Sequence, residues 1–294
     1  MGVLEISGLY KSFGPNRVIE DLSLDVPEGS VFGFIGANGT GKTTTMNMVL
    51  GLLLPDAGDI TACGERVSYG KTVKSIGYLP DVPEFYNYMR PMEYLSLCGE
   101  LSGMARADIK LRAGEMLELV GLAKANRKVG GFSRGMKQRL GIAQALLGEP
   151  RLLICDEPTS ALDPMGRKEI LEILATLKGR TTVIFSTHIL SDVERICDQV
   201  AILHGGKIVL SGTLSALKKR HTDSYDVEFT ERSGAEAFAA LLGHEGYSID
   251  NNTVNVKNAE GGRLIELLAQ NGLAPVRFEL LEPMLEGLYM EVAK

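Results

Sequence analysis

The 294-residue chain has no tryptophan, four cysteines and few aromatic residues, 6 % in all. Cys63, Cys98, Cys155 and Cys197 lie far apart. No Cys-x-x-Cys pair or Cys/His spacing offers a zinc site, so reduced cysteines in or near the core are expected. No apolar run reaches the roughly 20 residues of a membrane span. If the protein works at a membrane, another chain must hold it there. The start, "MGVLEISGLYKSFG", lacks a basic flank followed by an apolar run, and no signal peptide is expected. Basic charge is in deficit: 31 Lys and Arg against 37 Asp and Glu leave a net charge of −6. That balance argues against a sequence-independent nucleic-acid binder. Acids gather beyond His221, among them Asp223, Asp226, Glu228, Glu231, Glu236 and Glu245, so the earlier part is near neutral or slightly basic.

Apolar residues make up 45 % and charged residues 23 %, a globular mix with ample length for a core. "VLEISGL" and "VIEDLSLDV" alternate in polarity and predict half-buried antiparallel strands. "SVFGFIG", "RLLICDE" and "TTVIFSTH" are continuous apolar runs, as strands buried on both faces require. A helix is expected from Gly41 to about Leu52. "GDITACG" and "SIGYLP" predict short strands. From Pro91 the spacing turns helical, in "PMEYLSLCGELSGM" and "DIKLRAGEMLELVGL". A hairpin is expected around Gly205-Gly206. After a linker near "KKRHTDS", short strands and helices form an α+β pattern of their own, ending in a helix from Pro283.

"GANGTGKTT", Gly36 to Thr44, fits G-x-x-x-x-G-K-[ST] between a buried strand and a helix. Glycines let successive N–H groups turn inward and cradle phosphate oxygens, and the helix dipole adds attraction. Gly36, Ala37, Asn38, Gly39, Thr40, Gly41, Lys42, Thr43 and Thr44 form the loop. Lys42 is expected to reach the β- and γ-phosphates, and Thr43 to hold Mg²⁺. "RLLICDEPTSALD" places Asp156 and Glu157 at a strand's C-terminal edge, where ligands of open α/β sheets lie. Asp156 is expected to hold Mg²⁺ through water, and Glu157 to polarise an attacking water. His188, after "STH", reaches the same edge and either bonds phosphate or positions water and Glu157.

"GFSRGMKQRLGIAQALL" is a serine and glycines leading into a helix, a second and weaker anion site at a helix N-terminus. With these motifs in this order, residues 1–220 resemble the ATP-binding cassette (ABC) family of transporter nucleotide-binding subunits. The resemblance implies a P-loop α/β fold with a RecA-like core, an antiparallel β subdomain and a helical subdomain over about 88–150. It implies ATP and Mg²⁺ as cofactors, ATP hydrolysis, and two copies that sandwich two ATP molecules. It also implies membrane permease subunits as partners, no nucleic acid, and a cytoplasmic place on the inner membrane face. Ser133 and the Gly135 backbone then reach the γ-phosphate held by a second copy. Arg134 stands where a glycine is usual and Met136 where a glutamine is usual, so a polar contact at Met136 is expected to be lost. Phe13 matches the aromatic that stacks on adenine, with simple packing as the other reading. Asp163 matches a turn that communicates across the dimer, or it caps the next helix. Asp81 replaces a usual glutamine and sets a carboxylate near metal and phosphate, where it either binds Mg²⁺ through water as a metal residue beside Thr43 and Asp156 or weakens that role by its charge.

"PEFYNYMRPMEYL" offers two readings: packing within the helical layer, or a groove for a short helix of the membrane subunit. The form "SRGMKQR" and the acidic tail, 221–294, resemble exporter subunits of the drug- and antibiotic-resistance type. The tail either stabilises a homodimer, binds a regulator, or is an appendage without ligand. A soluble cassette acting on DNA or the translation apparatus is disfavoured by the single phosphate loop and the lack of a long heptad run. A regulatory ATP sensor is disfavoured by Glu157 and His188.

Overall fold

The computed structural model describes residues 2–220, 224–243, 246–257, 259–281 and 285–292. The chain divides into two compact units, Met1–Thr213 and Leu214–Lys294. The division falls seven residues before the expected boundary at 220, and the helix that follows Thr213 belongs to the second unit.

The first unit begins with β1 (Gly2–Phe13), β2 (Asn16–Pro27), β3 (Val31–Ile35), α1 (Lys42–Val49), β4 (Ala57–Ala62), β5 (Glu65–Arg66) and β6 (Ile76–Leu79). Three helices follow: α2 (Pro91–Leu101), α3 (Arg106–Leu119) and α4 (Arg134–Leu146). The unit closes with β7 (Leu152–Asp156), α5 (Pro164–Thr176), β8 (Thr182–Thr187), α6 (Leu190–Ile196), β9 (Gln199–His204) and β10 (Lys207–Thr213).

Two sheets organise it. The antiparallel one has the order β2-β1-β4-β5. The other has the order β10-β9-β3-β8-β7-β6, parallel except for β10 at one edge. Every residue of β3, β7 and β8 is buried, which is why these strands read as unbroken apolar runs. One core joins Leu4, Ile6 and Leu9 of β1, Phe32 and Phe34 of β3, and Met46, Met48 and Val49 of α1. Helix α1 is shorter than expected, ending at Val49 rather than near Leu52. Its apolar continuation, Leu52 and Leu54, is exposed and adds no buried face.

The parallel register decides where the chemistry goes. Ile35 pairs with Thr187, Asp156 with Ser186, and Leu79 with Cys155. Four neighbouring strands therefore end level, and the loops after β6, β7, β3 and β8 leave from one edge.

The second unit comprises α7 (Leu214–Arg220), β11 (Ser224–Glu228), α8 (Arg232–Leu242), β12 (Tyr247–Asp250), β13 (Thr253–Val256), α9 (Gly261–Gln270), β14 (Arg277–Leu281) and α10 (Leu285–Val292). From β11 to β14 the order is β-α-β-β-α-β, and the antiparallel sheet runs β12-β13-β11-β14. That is the ferredoxin-like arrangement. Its core packs Tyr225, Val227, Val254 and Val256 of the sheet against Phe238, Leu264 and Leu268 of the helices. The expected linker is helical through Arg220, while His221 to Asp223 and Pro283 lie outside the described residues.

Candidate active site

The loop Gly36–Gly41 links β3 to α1 and depends on its glycines. A side chain at Gly36 would come within 2.6 Å of Thr40 Oγ1 and 2.8 Å of the Leu203 carbonyl. Gly41 has a φ of 106°, and a Cβ there would meet Ile19 Cδ1 at 2.6 Å. The loop is tied down by the Thr40 hydroxyl, which donates to the Ala37 carbonyl at 2.9 Å. The first N–H groups of α1 have no acceptor within the helix, as at any helix start, which leaves them available to an anion.

Lys42 is 5 % exposed, an unusual place for an ammonium. Its Nζ donates to the Gly36 carbonyl at 2.7 Å and the Ala37 carbonyl at 3.1 Å. It also lies 3.1 Å from Glu157 Oε1. Thus the buried charge is paired and hydrogen-bonded, the condition under which burial is tolerated. Thr43 donates its hydroxyl proton to Asp156 Oδ2 at 2.7 Å. Ser186 donates to the other Asp156 oxygen.

Glu157 has a φ of 46°, in the left-handed region where a residue with a side chain is strained by roughly 1–3 kcal/mol. Its N–H is held by the Ser186 carbonyl and hydroxyl, each at 3.1 Å. The turn aims the carboxylate across the edge: Oε2 meets His188 Nδ1 at 3.0 Å. Glu157 Oε1 is buried and receives no hydrogen bond, although the Lys42 ammonium is near. The Lys42 ammonium pairs with this oxygen, and its departure would leave Oε1 as an acceptor for a water proton. His188 is shaped by Thr187, whose hydroxyl accepts from the Ile189 N–H at 3.0 Å.

Thr43 and Asp156 place two hard oxygen donors side by side, and among the described residues no group of three or more His, Cys, Asp or Glu forms a metal cage. That donor set fits Mg²⁺, which is typically held by one or two protein oxygens together with phosphates and water.

The other anticipated residues lie on separate elements. Ser133 is the N-cap of α4, and its hydroxyl accepts from the Met136 N–H at 3.3 Å. A Cβ at Gly135 would meet only Leu162 Cδ2, at 4.0 Å, so packing within this chain does not demand glycine there. Met136 has gained a contact in place of the one expected to be lost: Arg127 Nη2 lies 3.0 Å from its sulfur. Asp163 caps α5, accepting from the Gly166 N–H at 3.0 Å. Phe13 is 49 % exposed near the β1–β2 turn, with Lys11 Nζ 5.4 Å from its ring centre. Asp81 follows β6, where Ser160 and Arg134 donate to its Oδ1. The aromatic segment divides: Phe85 packs edge-on against buried Tyr94, while Tyr86 and Tyr88 are exposed.

Several contributors were not anticipated. Ser186 holds both Asp156 and Glu157, and its only signal is its place one residue before the strand end. Tyr78, beside Ile154 on β6, has its phenol pushed up to about 12 by burial and, next, by the Asp156 charge. Buried Asp192 accepts from Thr159 at 2.7 Å and pairs with Arg167, also at 2.7 Å, fastening α6 to α5 and to the loop after β7. Gln138, fully buried, donates to the carbonyls of Asp81 and Pro158.

The parallel sheet, the glycine loop and the acidic strand end define a P-loop nucleoside triphosphatase. The sequence pattern of the ABC transporter family matches residues 19–160. The chain is 39 % identical to YxlF of Bacillus subtilis, an uncharacterized ABC transporter ATP-binding protein, over 99 % of both chains. It is 35 % identical to the bacitracin transport ATP-binding protein BcrA of Bacillus licheniformis, covering 99 % of this chain and 97 % of that one. A solved ATP-binding subunit of an ABC transporter superposes with a TM-score of 0.66 at 33 % identity, over 74 % of this chain and 92 % of the other. The protein belongs to the ABC transporter ATP-binding proteins, and it is an ATP-hydrolysing subunit of such a transporter. Among the described residues no helix is long and apolar enough to cross a membrane.

Proposed function

We propose that this chain drives a bacterial exporter, with two copies closing on two ATP molecules and working through separate permease subunits. The observation that carries the catalytic reading is the bridge Lys42–Glu157–His188. It joins the phosphate loop to two strand ends within 3.1 Å at each step.

In this reading Lys42 leaves the Gly36 and Ala37 carbonyls for the phosphates, and the loop N–H groups bind the remaining oxygens. Glu157 accepts the proton of the attacking water at Oε1, and His188 fixes the opposite carboxylate oxygen. Thr43 and Asp156 would hold Mg²⁺, which when bound supplies positive charge to the phosphate oxygens. The exposed Phe13 ring offers a stacking face for adenine. Ser133 and Gly135 serve the nucleotide of the second copy, since the open space at Gly135 suits close approach of another molecule's phosphate. Exposed Tyr86 and Tyr88 suit an anchoring surface for a permease segment. Export, rather than import, is supported by the bacitracin-transport relative and by the form of "SRGMKQR". The chain's place is then the inner face of the membrane, held there by the permease. The second unit serves as an accessory domain of this assembly.

The test is Lys42→Ala in the full-length chain. ATP turnover should fall by at least about 10²-fold, the scale of losing a charge-stabilising donor. Undiminished turnover and ATP affinity would overturn the loop assignment.

A further inference from the structure

Asp81, Arg134, Gln138 and Ser160 come from three separate segments and meet in one cluster. Asp81 follows β6, Arg134 and Gln138 lie on α4, and Ser160 lies three residues after Glu157. Ser160 and Arg134 both donate to Asp81 Oδ1, and Arg134 Nη2 also lies 3.2 Å from Ser160 Oγ. Beneath them the Gln138 amide donates to the Asp81 carbonyl at 3.1 Å and the Pro158 carbonyl at 3.2 Å. Gln138 is fully buried, and its Oε1 has no partner. The buried amide nitrogen thus ties the backbone after β6 to the backbone after β7.

The two unusual residues explain each other. An arginine in the first turn of a helix faces the positive end of the helix dipole, which is unfavourable. A carboxylate from the β6 loop offsets that charge. Asp81 and Arg134 are 46 % and 43 % exposed, so the pair adds little stability. Its value is geometric. The residue before Arg134 is Ser133, and the residue before Pro158 is Glu157.

We infer that the Asp81–Arg134–Ser160 cluster, seated on Gln138, is a positioning junction that couples the start of α4 to the loop carrying Glu157. It makes Asp81 a partner of Arg134 rather than a metal ligand. This rests on the proposed role of Glu157.

The experiment measures kcat, the KM for ATP, the Mg²⁺ dependence and thermal melting of the full-length chain. The variants are Asp81→Ala, Asp81→Asn, Arg134→Ala, Arg134→Lys and the double alanine, with Glu157→Gln as control. Each single alanine should lower kcat by about five- to tenfold, and the double variant no further than the worse single, the mark of coupled residues. KM, Mg²⁺ half-saturation and melting temperature should stay near wild type. Asp81→Asn and Arg134→Lys, which keep an acceptor and a charge respectively, should each recover part of the loss. Independent, multiplicative losses would overturn the junction, as would unchanged kcat. A raised Mg²⁺ requirement in Asp81→Asn would restore the metal-ligand reading in its place. Normal turnover in Glu157→Gln would instead defeat the catalytic reading of Glu157 itself.

Discussion

Thr43 and Asp156 lie 113 residues apart in the chain and share a 2.7 Å hydrogen bond. The bond fastens the first turn of α1 to the end of β7, so the phosphate loop and the acidic strand end are held as one surface. Asp156 is 3 % exposed, and its two oxygens are occupied by Thr43 and Ser186. Thr43→Ala therefore removes a donor to a buried carboxylate, a loss of about 1.5–3 kcal/mol. Melting should shift down accordingly, and the Mg²⁺ concentration for half-maximal ATPase should rise. Thr43→Ser, which keeps the hydroxyl, should restore both. A Thr43→Ala protein with unchanged Mg²⁺ dependence would remove Thr43 from the metal site.

The second anion site at Ser133 can be tested by mixing. Lys42→Ala and Ser133→Arg should each be nearly inactive alone. If Ser133 serves the nucleotide of another copy, a mixed dimer regains one complete site. Recovery up to about a quarter of wild-type turnover is then expected from random pairing in a two-fold dimer. No recovery on mixing would place Ser133 and Lys42 in service of the same site within one chain.

Alkaline pH should expose the burial of Tyr78. Its phenol is raised from 10 to about 12 in the folded protein, first by burial and then by Asp156. A raised value means that the folded state holds the proton more tightly than the unfolded state. The associated stability is complete below pH 10 and is lost as pH rises toward 12. Tyr78→Phe should flatten the fall in stability between those limits. Phenolate absorbance in the folded wild type should lack both Tyr78 and Tyr94, whose phenol burial also pushes up, and the gain at the top of that range should be absent from Tyr78→Phe. Titration of Tyr78 near pH 10 would contradict its burial beside Asp156.

Much of the catalytic edge was readable because its residues are contiguous or end a strand. The loop Gly36–Thr44 and the pair Asp156–Glu157 each follow an apolar run that can only be a buried strand. His188 could be placed by the same rule. The position of Asp81 was readable too, but its partners were not. Arg134 is 53 residues away, and nothing local distinguishes a metal ligand from an ion-pair partner. Ser186 was hidden for a similar reason, since a hydroxyl in an apolar strand shows no role until β7 is seen beside it. In the second unit, β12 escaped because all four of its residues are exposed at the sheet edge and lack an apolar face. Helix α7 was concealed by the basic run that ends it.

The measurement that bears most directly on the account is the behaviour of Glu157→Gln with ATP. The substitution keeps the shape of the side chain and removes its capacity to take a proton from water. Turnover should fall by about 10²-fold or more, in line with loss of a general base. Light scattering should then show the ATP-bound chain trapped as a dimer that does not form without nucleotide. A Glu157→Gln protein that hydrolyses ATP at the wild-type rate and stays monomeric would contradict the account at its centre.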